Sequence, residues 1–239
     1  MQTCPPGYYC PIKASSPTVC PKGSYCPSPT GASVPPCPAG TFGTKTGLSA
    51  LAQCTLCTPG SYCQTPGATH TTAFCSQGFY CPSSALDATG RTTVSGASNT
   101  CPKGNYCPTN SSEPTPCPPG TYLSSLGLSA KTQCSNCDLG HYCPNAGMTA
   151  VSGQCTQGYY CTGSATTATP TGTHGNVCPT GHFCVQGAST PAGCAAGTYQ
   201  DQTQQSGCKQ CLAGFYCTVN STTYADKPCP AGYYCPAGT

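Results

Sequence analysis

The apolar positions of this chain return in a seven-residue unit, Cys-x-x-Gly-x-(Tyr or Phe)-Cys, which occurs ten times, beginning at Cys4, Cys20, Cys57, Cys75, Cys101, Cys137, Cys155, Cys178, Cys211 and Cys229. Its glycine stands where a tight turn needs a positive φ, and proline often precedes it at the position that pre-sets such a turn. The aromatic before the closing cysteine is placed to lie over a neighbouring disulfide, covering apolar area that no larger core is there to cover. A ladder of aromatics for stacking sugars or bases is the alternative; ten identical placements fit packing better. Glycine and proline at 55 positions leave little room for helix. The predicted elements are short β-hairpins and irregular loops.

A longer motif organises these units. Cys37 to Cys57 runs Cys-Pro-Ala-Gly-Thr-Phe, then Gly47-Leu48-Ser49-Ala50, then Gln53-Cys54-Thr-Leu-Cys57. It returns at Cys117 to Cys137 and, with its middle loop three residues shorter, at Cys194 to Cys211. Together they make a period of eight cysteines starting at Cys20, Cys101 and Cys178, first seen as Cys20, Cys26, Cys37, Cys54, Cys57, Cys63, Cys75 and Cys81. The expected organisation is a closing unit over residues 1–19 and repeats over 20–100, 101–177 and 178–239. The joins, 82–100 and 162–177, are rich in Ser, Thr, Ala and Gly and read as exposed linkers suited to O-glycosylation. Cys4-Pro-Pro-Gly-Tyr-Tyr-Cys10 and Cys229-Pro-Ala-Gly-Tyr-Tyr-Cys235 are the same module. This matches either a window cut from a longer array or a protomer continuing end to end into the next.

Composition sharpens the picture. Twenty-six of 239 residues are cysteine, whereas Leu, Ile, Val and Phe together stay under a tenth and Trp is absent. Chains so poor in apolar residues stay disordered unless cross-links reduce the entropy of the unfolded state. The fold class is therefore small and disulfide-rich, an elongated tandem array of cysteine-rich repeats. Disulfides in this number persist only in an oxidising compartment, which argues for the cell exterior or the secretory lumen; the expected location is extracellular, secreted or on a cell or flagellar surface. A row of zinc sites is the cytosolic alternative; Cys134, Cys137 and His141 make its best cluster, yet His70, His141, His174 and His182 lack a recurrent ligand spacing. Charged residues are 5% of the chain and the net charge is +3, which excludes a strongly basic nucleic-acid surface. No apolar run is long enough to span a membrane, and Met1-Gln2-Thr3 leads into Cys4 without a signal-peptide pattern.

With Cys37, Gly40, Phe42, Cys54 and Cys57 in view, the longer motif resembles the ephrin-receptor-like cysteine-rich repeat, the GCC2/GCC3 type, and more distantly the tumour-necrosis-factor-receptor module. The resemblance implies pairing of Cys37 with Cys54, Cys117 with Cys134 and Cys194 with Cys208. Similarity to the receptor module further implies interlocked pairs, Cys57 with Cys75 and Cys63 with Cys81. Long runs of such units are also similar in style to surface and mastigoneme-type flagellar-hair proteins of protists.

Catalysis finds little support. Asp87, Glu113, Asp138, Asp201 and Asp226 are scattered without an acid/base pair or an acidic calcium loop. The three Cys-x-x-Cys motifs lack a thioredoxin-like frame. No catalytic residue, cofactor or metal ligand is expected. Modification is better supported: Asn110-Ser-Ser and Asn220-Ser-Thr are N-glycosylation acceptors in polar, turn-prone segments. The reading is a non-catalytic extracellular structural protein, glycosylated through nitrogen and oxygen, with its own copies as partners in a filament or coat. The alternative is a receptor or adhesion ectodomain binding a protein ligand. A secreted enzyme or redox protein is a third, and would need at least a few reactive thiols.

Overall fold

A computed structural model describes residues 2–239. All 26 cysteines are joined in 13 disulfides, and none is free. The ten short units each close on themselves, as in Cys57–Cys63 and Cys75–Cys81, with Cα atoms 5.8 Å apart in both. The longer motifs close as Cys37–Cys54, Cys117–Cys134 and Cys194–Cys208. The interlocked pairs Cys57–Cys75 and Cys63–Cys81 are thereby corrected. The reason is local: the glycine turn brings the two cysteines of one unit to bridging distance, whereas Cys75 hydrogen-bonds through its N–H to the Gly60 carbonyl, one module on. No Cys-x-x-Cys pairs with itself; Cys134 and Cys137, for example, go to Cys117 and Cys143.

Among the described residues helix is confined to two single 3-10 turns, Leu51–Gln53 and Lys131–Gln133. Their repetition has a capping cause. The Gln53 carbonyl oxygen accepts from the N–H groups of Ser49 and Ala50 at 2.5 and 3.1 Å, and Gln133 does the same for Ser129 and Ala130 at 2.8 and 2.9 Å. That is why Ser-Ala-x-x-Gln-Cys returns in the first two longer motifs.

Among the described residues the strands are two or three residues long and form nine two-stranded sheets. The two residues after a module's glycine pair with the two residues before the next module's first cysteine. Tyr8–Tyr9 pairs with Thr18–Val19, Ser61–Tyr62 with Ala73–Phe74, and His141–Tyr142 with Gly153–Gln154, all antiparallel. Three further steps make a single bridge, Ser24 with Pro36, Phe79 with Thr100 and Phe215 with Pro228. Isolated hairpins this short are marginal in water, so the cross-links must hold them.

The chain divides into two compact units, one running to Thr115 and including Ser125–Gln133, the other made of Pro116–Ser124 and Cys134–Thr239. In the first, Gly7, Gly40, Gly60 and Gly78 donate through their N–H groups to the carbonyls of Cys26, Cys63, Cys81 and Cys107 at 2.8–2.9 Å. In the second, Gly120, Gly140, Gly158 and Gly214 do the same to Cys143, Cys161, Cys184 and Cys235 at 2.8–2.9 Å. The glycine of every short unit has positive φ, between 73° and 89°.

The core of each unit is a set of small clusters around the disulfides. Tyr25 packs on Cys37, Cys54 and Leu48, Tyr62 on Cys75, Cys81 and Ala85, and Tyr142 on Cys155, Cys161 and Ala165. In each case the aromatic of one module covers the disulfide of the next. The third longer motif solves its shortened loop differently: Gln200, 2% exposed, donates to the Gly207 carbonyl at 2.6 Å and accepts from the Gln202 N–H at 3.1 Å. The joins are corrected from simple linkers. Across 82–100 the ladder continues, Cys101 donating to the Gly78 carbonyl, and in 162–177 Gly175–Val177 pairs with Tyr159–Cys161. Thr92, Thr93, Thr166, Thr167, Thr171 and Thr173 within them are exposed.

Candidate functional site

After the closing cysteine of a module, three or four residues on, the backbone turns left-handed: Ser84, Asn110, Ser164 and Asn220 have φ of 68°, 69°, 55° and 60°. The N–H of each such residue reaches back to the first cysteine of the preceding module. Ser84 donates to the Cys57 carbonyl at 3.1 Å, Asn110 to Cys75 at 3.1 Å, Ser164 to Cys137 at 3.0 Å and Asn220 to Cys194 at 2.8 Å. One short unit departs from this: at Cys20–Cys26 the hydroxyl of Ser28 donates to the Cys4 carbonyl at 2.8 Å.

Both sequon asparagines therefore occupy the same place in the ladder. Asparagine tolerates the left-handed region better than most residues, so each has a backbone reason to be there. The hydroxyl residue that follows is equally placed: Ser111 Oγ donates to the Pro108 carbonyl at 2.6 Å and Ser221 Oγ to the Thr218 carbonyl at 2.8 Å. Asn110 and Asn220 are exposed, and Asn110 Oδ1 faces Gly60 while Asn220 Oδ1 faces Gly193. The left-handed position escaped sequence reading because glycine, serine and asparagine all fill it; its signal is a distance of three or four residues from the closing cysteine.

The remaining titratable groups are scattered. Asp87 is held by the loop it sits in, its carboxylate accepting from the Thr89 N–H at 2.9 Å, the Thr89 hydroxyl at 2.7 Å and Arg91 Nε. Burial pushes the Asp87 carboxyl up, and the hydrogen bonds from Thr89 and Arg91 outweigh it, leaving it below the ordinary carboxylate value. A lowered folded value means the stabilisation is complete above the unfolded value near 4 and is lost as pH falls through the folded one. Acidification below about pH 4 is expected to free the Thr89 amide, read as faster hydrogen exchange there than at the Cys75 amide; equal rates at both would refute it.

Lys209 and Asp201 pair at 2.6 Å on the exposed shortened loop. The Asp138 carboxylate accepts from the Tyr122 hydroxyl at 3.2 Å, and that bond together with the Asp138 charge raises the phenol above its ordinary value. His70 contacts the Thr69 hydroxyl, while His141 and His182 meet the carbonyls of Leu139 and Thr180. Among the described residues no three His, Cys, Asp or Glu side chains gather as a metal site, and no helix is long and apolar enough to cross a membrane.

Fold and site together define a small disulfide-rich protein of strand hairpins, whose modules are joined by backbone hydrogen bonds within each compact unit. No protein-family model matches the chain, and no curated protein matches it.

Proposed function

We propose that this chain is an extracellular structural protein without catalytic activity, glycosylated and assembling with its own copies into a filament or surface coat, on a cell or flagellum or after secretion. The observation that carries the reading is the use made of the side chains. The aromatics in Tyr25, Tyr62 and Tyr142 positions cover disulfides, the glycines serve turns, and Asp87 ties a local loop, so the invested chemistry goes into holding modules together. The chain is rich in Ser and Thr and carries few charges, a surface that attached sugars would hydrate. Asn110 and Asn220, exposed at equivalent ladder positions, are its N-linked acceptors, with the threonines of 166–173 as O-linked ones.

Electron microscopy of native material, with mass spectrometry of its peptides, tests this reading. Regular fibres or sheets with sugar on Asn110 and Asn220 are the expected result; an unglycosylated monomer at every concentration would overturn it. One feature favours the second reading, an ectodomain that binds a protein ligand. Around Asp201 the third motif breaks the pattern with an exposed ion pair beside the aromatic cluster of Tyr199, Phe215 and Tyr224. Short particles that co-purify with a partner and lose it in Asp201→Ala would support that alternative.

A further inference from the structure

Every disulfide closes within a short unit or a longer motif, so none spans the stretch between Cys81 and Cys101, which lies between the bridges Cys75–Cys81 and Cys101–Cys107. The chain crosses that stretch on backbone alone. Its first part is fixed: Leu86 donates to the Arg91 carbonyl at 2.6 Å, Gly90 to Asp87 at 3.0 Å and Asn99 to Thr89 at 2.8 Å. Residues 92–98 stand outside that network. Within 92–98 only the Gly96 N–H finds a partner among the described residues, the Thr93 carbonyl at 3.0 Å, and the one other carbonyl that accepts is that of Val94, from Arg91 Nη1 at 3.3 Å. Thr92, Thr93, Val94, Ser95, Ala97 and Ser98 are exposed, Val94 by 86%, and no proline stiffens the segment.

Other exposed loops are built differently. In the second join Thr162 donates to His174 at 3.2 Å and Ser164 to Cys137 at 3.0 Å, Gly175–Val177 pairs with Tyr159–Cys161, and Pro170 interrupts what lies between. The shortened loop around Asp201 lies inside the Cys194–Cys208 bridge, so a break there leaves the chain covalently whole. An endopeptidase takes its substrate as an extended strand reaching several residues to either side of the bond it cuts, and so needs a segment that can be drawn out without opening the fold. For the Val94–Ser95 bond, that strand comes from the residues without partners. For Arg91–Thr92 it would have to free Arg91 from Asp87 and Gly90 from the Asn99 side chain.

We propose that Val94–Ser95 is a processing site for an extracellular endopeptidase whose specificity pocket takes a small aliphatic side chain. Water adds across the amide, leaving a carboxylate on Val94 and an ammonium group on Ser95. Because no disulfide crosses the cut, residues 1–94 and 95–239 become separate chains. They stay together in the first compact unit through backbone bonds that run across the join: Gly78 donates to Cys107, Cys101 to Gly78, Cys81 to Ser111 and Asn110 to Cys75, at 2.8–3.1 Å. Cleavage thereby turns a permanent join into a separable one. This holds whether or not copies of the chain assemble.

The test applies an elastase, whose pocket takes valine, to the 239-residue chain with its disulfides formed. Terminal sequencing and mass are expected to find Ser95 as the first new amino terminus, two pieces in denaturant without reductant, and one particle of the parent mass in native sedimentation. Val94→Asp leaves an exposed side chain exposed, so it keeps the full set of disulfides and the parent melting midpoint, yet is cut at this bond at least about tenfold more slowly. A first cut elsewhere, or a Val94→Asp chain cut as fast as the parent, would overturn the site. Pieces that part in native sedimentation would overturn the retained join. In native material, chains beginning at Ser95 are the expected trace; preparations in which Ser95 always follows Val94 would overturn processing even where elastase cuts.

Discussion

Replacing Gly78 with valine is expected to destabilise the first compact unit by about 3 kcal/mol or more. Two penalties combine. Gly78 has φ of 81°, a region that costs an ordinary residue about 1–2 kcal/mol and a β-branched one more. A Cβ there would also stand 2.4 Å from the Gly127 carbonyl oxygen, which is backbone and cannot swing aside. Relief requires moving the segment that also carries the Gly127 N–H bond to Cys101, so the ladder across the first join weakens too. Gly207→Val is the control, since nothing lies within 4 Å of a Cβ there and its φ is not in the left-handed range. Thermal unfolding of both variants with disulfides intact decides the matter. Equal midpoints would show that the buried glycine turns do not hold the modules.

The second large effect is expected on reduction. In the chain-entropy account a closed loop of seven residues contributes roughly 2 kcal/mol and one of 15–18 residues about 3 kcal/mol. With 13 such closures in a chain whose net stability is on the order of 5–15 kcal/mol, the reduced protein is expected to unfold without denaturant. Loss of dispersion in an amide NMR spectrum, reversed on reoxidation, is the measurement; a dispersed spectrum after complete reduction would refute it. Removing single pairs grades the effect. Cys117→Ser with Cys134→Ser costs more than Cys57→Ser with Cys63→Ser, by about 1 kcal/mol. Non-reducing peptide maps of the intact protein carry the same pairing, with Cys57 linked to Cys63 and never to Cys75.

How much of this was legible depended on how local the cause was. The turn glycines could be read because Cys-x-x-Gly-x-Tyr-Cys leaves one residue able to take a positive φ inside a short loop. The aromatics over disulfides followed from the lack of any other core. The pairing of Cys57 and Cys75 was misread because a distant resemblance outweighed the local geometry, in which the glycine turn returns the chain to its own first cysteine. The joins were misread for a different reason. Their Ser, Thr and Gly content is that of a linker, and nothing in composition reveals that Asp87 ties Thr89 and Arg91 into a fixed loop or that Val177 lies in a strand. The sequons were found, but their place in the ladder was not, because a left-handed residue defined by its distance from a cysteine has no single residue type.

The closure of a turn glycine such as Gly7 or Gly120 by a carbonyl two modules ahead gives the chain a direction in time. Gly7 is finished only when Gly47 has arrived, and Gly120 only when Ser164 has. A ribosome delivers these residues from the amino end, so such a module spends the synthesis of the next two with its turn uncovered. Completion of such a turn therefore trails synthesis by two modules. A unit that oxidises within seven residues suits that timing, because both of its cysteines emerge together, before any cysteine of the next module can compete for them.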